Sequence, residues 1–400
     1  MSRFDLVIFG ATGFTGKHVV VHMIRYAHTY NLTWAVAGRS EQKLQEVMVE
    51  IGLPPILFFF QWVCSLCSLT LKCVYMTSAT GPPMQVLVNC CGPYRLYGEP
   101  VVRAAVRSRA HYVDVSGEPQ FMEKMQLEYN AQARDAGVYV ISACGWDSVP
   151  ADLGIANVLN PPGVVNSVEV YVSSRLPPQF DGQARSRGSS NYGTWESLVY
   201  GVGTLGYRIM HKKDGQWCIP FPGADESVVY RTQRHRHDAD KQRPVQMKAY
   251  IKVGSFIQAT LRALSTIGIF AMSKTRFTRK LLLDHPRVFS GGKVTKEGPS
   301  EDVINNTEFT FELVGRGWAC DQDVASTQPD KTLVVTVTGT NPGYGATVVA
   351  LLMSAITILR EKEKMPPGGG VLTPGIAFKN TDLVKNLTAN GLKFEVVDAK

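Results

Sequence analysis

The chain has 400 residues, enough for two or three domains and a substantial buried core. With 44% hydrophobic and 19% charged residues it has the composition of an ordinary globular protein, and nothing pairs its eight cysteines into a secreted disulfide framework. The net charge of +8 is modest; it suits an anionic cofactor or a membrane surface, and without an aromatic-basic recognition motif nucleic acid is excluded as the expected partner.

Leu6-Val7-Ile8-Phe9 is a continuous apolar run, as expected of a strand buried on both faces. A strand that begins near Asp5 leaves no room for a cleavable leader, so the chain is expected on the cytosolic side, with its sequons at Asn31, Asn305 and Asn386 idle. Gly10, Gly13 and Gly16 punctuate the next turn, and Val20, Met23, Ile24 and Ala27 then recur at the spacing of a helix packed on a sheet. A second strand, Trp34 to Ala37, leads into Gly38-Arg39-Ser40. Ser40 is placed to cap a helix whose apolar face is Leu44, Val47, Met48 and Ile51.

The uncharged run Ile56 to Leu71 stands where a third strand and an amphipathic helix are due. At 16 residues it is short of a membrane span, which needs about 20. The whole stretch 56–84 reads as atypical, such as an alternative splice product, rather than as a functional element. Cys64 and Cys67 inside it have no partner pair at metal spacing, so their CxxC is read as coincidence and no metal is expected.

Further strands read as Val86–Asn89, Tyr112–Val115 and Val138–Ser142, each ending in a loop of small or polar residues. Alternating strands and helices of this kind define an α/β, Rossmann-like, doubly wound parallel sheet over residues 1–155. From about Val164 the pattern changes. Val168, Val170 and Val172 alternate with polar residues, as do Phe309, Phe311 and Leu313, then Val335 and Val337. A second α/β domain on a mixed or antiparallel sheet is expected over 156–343, with the helices of 344–400 returning to the first domain.

Within Val253 to Ala271, Val253, Phe256, Ile257, Leu261, Leu264, Ile267 and Ala271 share one helical face, and Ser255, Gln258, Arg262 and Ser265 the other. Arg262 makes a spanning helix costly. The helix therefore packs on the core, the preferred reading, or lies in a membrane interface where Lys274, Arg276, Arg279 and Lys280 meet anionic headgroups.

The chemistry concentrates at the first turn. Phosphates need backbone N–H donors and an approach that a Cβ obstructs; Gly10 allows the tight turn, Gly13 the close approach, and Gly16 the packing of helix on sheet. The helix start adds unsatisfied N–H groups and the positive end of its dipole. Thr12 and Phe14 fall within the same turn. An NAD enzyme places a carboxylate at the end of the second strand; here Arg39 and Ser40 stand there, which favours the extra phosphate of NADP, with NAD as the alternative.

These motifs, together with Asn89-Cys-Cys-Gly-Pro-Tyr94, Tyr97-Gly-Glu-Pro100, Asp114-Val-Ser-Gly-Glu118, Asp147-Ser-Val-Pro-Ala-Asp152, Val229-Tyr-Arg-Thr-Gln-Arg234 and Gly370-Val-Leu-Thr-Pro374, make most of the chain resemble the saccharopine dehydrogenase-like oxidoreductases of animals. The resemblance implies that Gly10, Gly13 and Gly16 hold the pyrophosphate and that Arg39 and Ser40 face the adenosine ribose. It places Gly92, Pro93 and Tyr94 near the nicotinamide. It further implies kinship with saccharopine reductases and with bacterial trans-acting enoyl reductases of glycolipid synthesis, and a setting at membranes, lipid droplets or mitochondria. The run from Ile56 departs from the family at its third strand, and the segment after Gly206 looks shortened.

Candidate proton donors or acceptors at the strand ends are Tyr94, Tyr97, Asp114, Glu118 and Asp147, with loop capping the preferred role for Asp114 and Asp147. An oxidoreductase of a lipid-like or amino-acid-derived substrate is the expected function. A non-catalytic NADP-binding protein of membranes or lipid droplets, or an inactive variant, is the alternative, and a homodimer is left open.

Overall fold

The computed structural model describes residues 4–52, 59–61, 84–155, 164–201, 210–319, 324 and 326–399. The chain divides into two compact units. One comprises residues 1–116, 121–145 and 347–383, and the other 117–120, 146–346 and 384–400.

The first unit begins with β1 (Phe4–Phe9), α1 (Phe14–Tyr30), β2 (Trp34–Gly38), α2 (Glu41–Glu50) and β3 (Phe59–Gln61). It continues through β4 (Met84–Asn89), α3 (Tyr94–Arg107), β5 (His111–Asp114), α4 (Pro119–Asp135) and β6 (Tyr139–Ile141). A later strand, Gly370–Leu372, pairs parallel with β6, giving seven strands in the spatial order β3-β2-β1-β4-β5-β6 followed by that strand. Every pairing is parallel. The order reverses between β1 and β4, and in such sheets ligands bind beyond the carboxyl ends of the strands at that switch. The strands are apolar throughout because both faces are covered: Leu6, Ile8, Val36, Val86, Val88 and Val113 have no exposed surface. The sequence run from Ile56 does supply a third strand, since Phe59, Phe60 and Gln61 pair with Val36, Ala37 and Gly38. Cys64, Cys67 and the rest of that run, like Gly203–Tyr207, lie outside the described residues.

The second unit contains α5 (Ser148–Leu153), β7 (Val164–Arg175), α6 (Asp181–Arg187), α7 (Tyr192–Gly201), β8 (His211–Lys213), β9 (Gln216–Pro220) and α8 (Asp225–Asp240). After these come β10 (Gln246–Val253), α9 (Phe256–Ser273), α10 (Arg276–Asp284), α11 (Pro286–Phe289), α12 (Glu301–Asn306), β11 (Glu308–Trp318) and β12 (Lys331–Thr340). The chain then passes through α13 (Thr347–Arg360) and the strand already described, here β13, to end in β14 (Lys393–Ala399). The second sheet has the order β14-β12-β11-β7-β10-β9-β8; β7 and β10 run parallel and the other pairs antiparallel. Register explains the alternation in the sequence. Phe311 lies opposite both Val172 and Val337, and Leu313 opposite Val170 and Val335, so one face of three strands is apolar. Trp146 closes on it edge-on to Phe309 and Phe311, at ring separations of 5.4 and 5.2 Å.

Two expectations are corrected. The segment 344–400 does not return to the first unit as a whole: α13 and β13 belong there, whereas β14 pairs with β12 in the second sheet. The helix expected over residues 253–271 begins only at Phe256, with Val253 buried at the end of β10, and it does not turn its apolar stripe to the core. Ile257, Leu261 and Leu264 are 70%, 62% and 59% exposed, and α9 packs on β9 and β10 through its opposite side.

Candidate functional site

At the end of β1, Gly10 takes φ +84°, a region that L side chains rarely adopt. Its N–H bonds the carbonyl of Ala37 at 3.0 Å, which fixes the turn beside the end of β2. A Cβ on Gly10 would stand 3.1 Å from the backbone of Cys90 and Cys91, the residues that follow β4. The turn therefore sits at the β1/β4 switch. Gly13 donates to Gly10 O at 3.0 Å and becomes the N-cap of α1, with no side-chain cap and no acidic residue in the first turn. The first N–H groups of an α-helix have no partner within the helix and, with the positive end of its dipole, suit an anion. Gly16 is the tightest of the three: its Cβ would lie 2.1 Å from Gly10 O, so any side chain there would push the helix off the strand. Thr12 is half-buried within the turn. These features form a cradle that a Cβ would fill, and they fit a pyrophosphate.

Beyond β2, Arg39 is exposed and has no hydrogen-bond or ion-pair partner among the described residues. Ser40 Oγ accepts from Lys43 N at 3.4 Å and so caps α2, which holds the Arg39 backbone between a buried strand and a fixed helix start.

Beyond β4, Asn89 shapes the loop by accepting from Cys91 N at 2.9 Å and donating to the Tyr112 hydroxyl at 2.9 Å. The Gly92–Pro93 peptide is cis, and Pro93 precedes the first residue of α3. Tyr94 turns inward: its hydroxyl donates to Asn89 O at 3.0 Å, and burial drives the phenol well above its usual pKa, with the nearby Asp114 adding to the rise. Tyr97, one turn later, is 41% exposed.

Asp114 ends β5 with no exposed surface. Its carboxylate accepts from Tyr112 Oη (2.8 Å), Ser142 Oγ (2.9 Å), Ser116 N (2.9 Å) and Ala143 N (3.1 Å). Burial raises its pKa to about 6 even against those four donors. Asn89, Tyr112 and Asp114 thus form a relay that ties the ends of β4, β5 and β6 together.

The other acidic candidates lie in the second unit. Glu118 is buried and accepts from Ser197 Oγ at 3.1 Å. Asp147 accepts from Ser148 N at 2.9 Å at the start of α5, and burial raises its pKa. Two motifs far apart in sequence meet here, for Asp152 at the end of one accepts from Thr232 of the other at 2.9 Å. Sequence reasoning missed Asp225. It is buried at the start of α8, accepts from Ser148 Oγ at 3.3 Å, and is held well above the usual carboxylate range by burial, then by Asp147 and Asp152. An acidic residue in a first helical turn is normally read as a favourable dipole partner, so no local signal set it apart. Among the described residues no group of three His, Cys, Asp or Glu side chains is arranged to hold a metal.

The strand order, the glycine turn and the open helix start define a dinucleotide-binding domain of the doubly wound dehydrogenase class. Comparison with known proteins agrees: residues 6–141 match the model of the saccharopine dehydrogenase NADP-binding domain. The chain is 35% identical to the saccharopine dehydrogenase-like oxidoreductase of Homo sapiens, with 99% of this chain and 98% of that protein covered. It is 34% identical to a lipid droplet localized protein of Caenorhabditis elegans, with 99% of each covered. The chain belongs to the saccharopine dehydrogenase-like oxidoreductase family. Its fold is also that of the saccharopine dehydrogenase (L-Glu forming) of Saccharomyces cerevisiae, with a TM-score of 0.53 at 15% identity over 99% of this chain and 100% of the yeast chain.

Proposed function

We propose that this protein is an NADP-preferring oxidoreductase acting on a lipid-like or amino-acid-derived small molecule at the cytoplasmic face of a membrane or lipid droplet. The observation that carries the cofactor preference is Arg39, an exposed cation without a partner among the described residues, beside the glycine turn, where an NAD enzyme places a carboxylate. In this reading the N–H groups around Gly10, Thr12, Gly13, Phe14 and Gly16 bind the pyrophosphate. Arg39 pairs with the 2′-phosphate through its planar fork, and the Ser40 hydroxyl, which accepts from Lys43 N, keeps its own proton to donate. Gly92, Pro93 and Tyr94 border the nicotinamide, and the cofactor, when bound, supplies or accepts a hydride.

The proton chemistry is narrowed by burial. Tyr94 and Asp114 are committed to internal bonds, which leaves Tyr97 as the exposed phenol in the first turn of α3. The same commitment favours a second reading, a cofactor-binding protein without turnover.

Calorimetric titration of NADPH and NADH tests the cofactor reading. Arg39→Ala should weaken NADPH about 10- to 100-fold, a loss of roughly 1.4–2.8 kcal/mol, and NADH by less than about threefold. Equal losses for both would sink the role of Arg39, and no binding of either would sink both readings. Consumption of NADPH across enoyl, carbonyl and imine compounds separates turnover from binding alone.

A further inference from the structure

Helix α9 shows an apolar stripe to solvent, beside the exposed Gln258, Arg262 and Ser265. Ile257, Leu261, Leu264, Gly268 and Ala271 repeat at i, i+4, i+7, i+11 and i+14, all exposed, and Phe256 and Ile267 widen the stripe. The opposite side is anchored. Ala259 is fully buried, and Ile269 and Met272 join the cluster around Trp195 and Leu282. The helix thus lies along the surface of the second unit.

The junction with α10 is fixed by bonds. Arg279 donates from Nε and Nη2 to Ser273 O at 2.9 and 2.7 Å, closing the end of α9. Thr275 caps α10 by accepting from Thr278 N at 3.2 Å. Arg279 therefore holds the helical pair together, and Lys274 lies over the Phe270 ring at 4.1 Å. Arg276 and Lys280 are exposed, and on α10 they flank Phe277, which is 78% exposed. No acidic residue occurs between Asp240 and Asp284. A broad apolar stripe on a rigid platform, flanked by the exposed Gln258, Arg262 and Ser265 and by no acidic residue of the same segment, matches the boundary between acyl chains and anionic headgroups.

A spanning role does not fit. Eighteen residues rise about 27 Å, short of the roughly 30 Å hydrocarbon core, and Arg262 sits near the middle.

We infer that the exposed face of α9 and α10 is a docking surface for an anionic phospholipid layer, which the apolar stripe enters while Arg276 and Lys280 engage headgroup phosphates. This deepens the membrane setting in the proposed function. It does not depend on turnover.

Flotation of the full chain with phosphatidylcholine vesicles, with and without phosphatidylserine, tests it. The chain should float with the anionic vesicles, and less at high salt. The double variant Leu261→Asp, Leu264→Asp should lower bound protein more than tenfold. Arg276→Gln with Lys280→Gln should lower it about fivefold per charge. Both changes fall on exposed positions, and an unshifted melting temperature would verify folding. Failure of the wild-type chain to float, or undiminished flotation of the double variant, overturns the proposal. So does a dimer in sedimentation that Leu264→Asp splits without changing flotation, because the face then belongs to a second copy. NADPH titration on the same samples keeps this result separate from the cofactor reading: a chain that binds NADPH and ignores both vesicles refutes the surface alone.

Discussion

Two stretches of this chain, Phe256–Ser273 and Pro342–Arg360, are long and apolar enough by composition to cross a membrane, yet their surroundings are opposite. In the second stretch every residue of α13 from Val348 to Ile358 is buried, because the helix packs against α1, β4 and β5. Along α9 only Ala259 and Ser273 are buried. Apolar character all round marks a core helix, whereas a one-sided stripe gives a helix two possible hosts, protein or lipid. Hydropathy alone does not separate the two cases. What separates them is whether the apolar surface of the helix meets the rest of the fold.

Matched substitutions can break that contrast. Leu351→Ala on α13 should cost about 2–5 kcal/mol in chemical denaturation, as a large-to-small change at a fully buried site. The corresponding Leu264→Ala on α9 should change stability by less than about 0.5 kcal/mol. A comparable loss at Leu264 would mean that the stripe is covered by protein.

A smaller effect sharpens the contrast for a charged group. Asp114 has a folded pKa of about 6, above its ordinary value, so between those two values the folded chain binds the proton more readily than the unfolded one. Its contribution is fully present in acid and is lost as pH rises through about 6. On that account the wild-type chain should be about 1 kcal/mol less stable at pH 7 than at pH 5. Asp114→Asn should remove this part of the pH dependence, since Asn keeps the acceptor for Ser116 and Ala143, and the Tyr112 and Ser142 hydroxyls can rotate to accept. An unchanged slope would show that Asp114 does not titrate in this range.

Much of the fold was legible because its signals are local. The glycine spacing after an apolar strand, the Ser40 cap and the Val/Phe alternation of β7, β11 and β12 each follow from a few neighbouring residues. What was not legible depends on partners distant in sequence. Asp114 is defined by donors from Ser142 and Ala143, 28 and 29 residues on, and Asp225 by Ser148, 77 residues before it. The stripe of α9 announced an amphipathic helix without stating which way it faces. The short strand at Phe59–Gln61 is visible only through its pairing with β2, since its sequence has neither alternation nor a turn signal.

The crowding around Gly16 also decides how an inactive control should be made. A methyl group at Gly16 meets the Gly10 carbonyl at 2.1 Å, so a variant there would damage the scaffold along with the site, and its silence in an assay would be uninformative. Gly13 is exposed, has φ −77°, and a Cβ on it would sit 3.3 Å from the same oxygen. Gly13→Ala should therefore leave a folded chain with an obstructed phosphate cradle. That makes it the cleaner reagent for dissecting this protein in cells, able to tell a duty that needs the nucleotide from one that needs only the protein's presence.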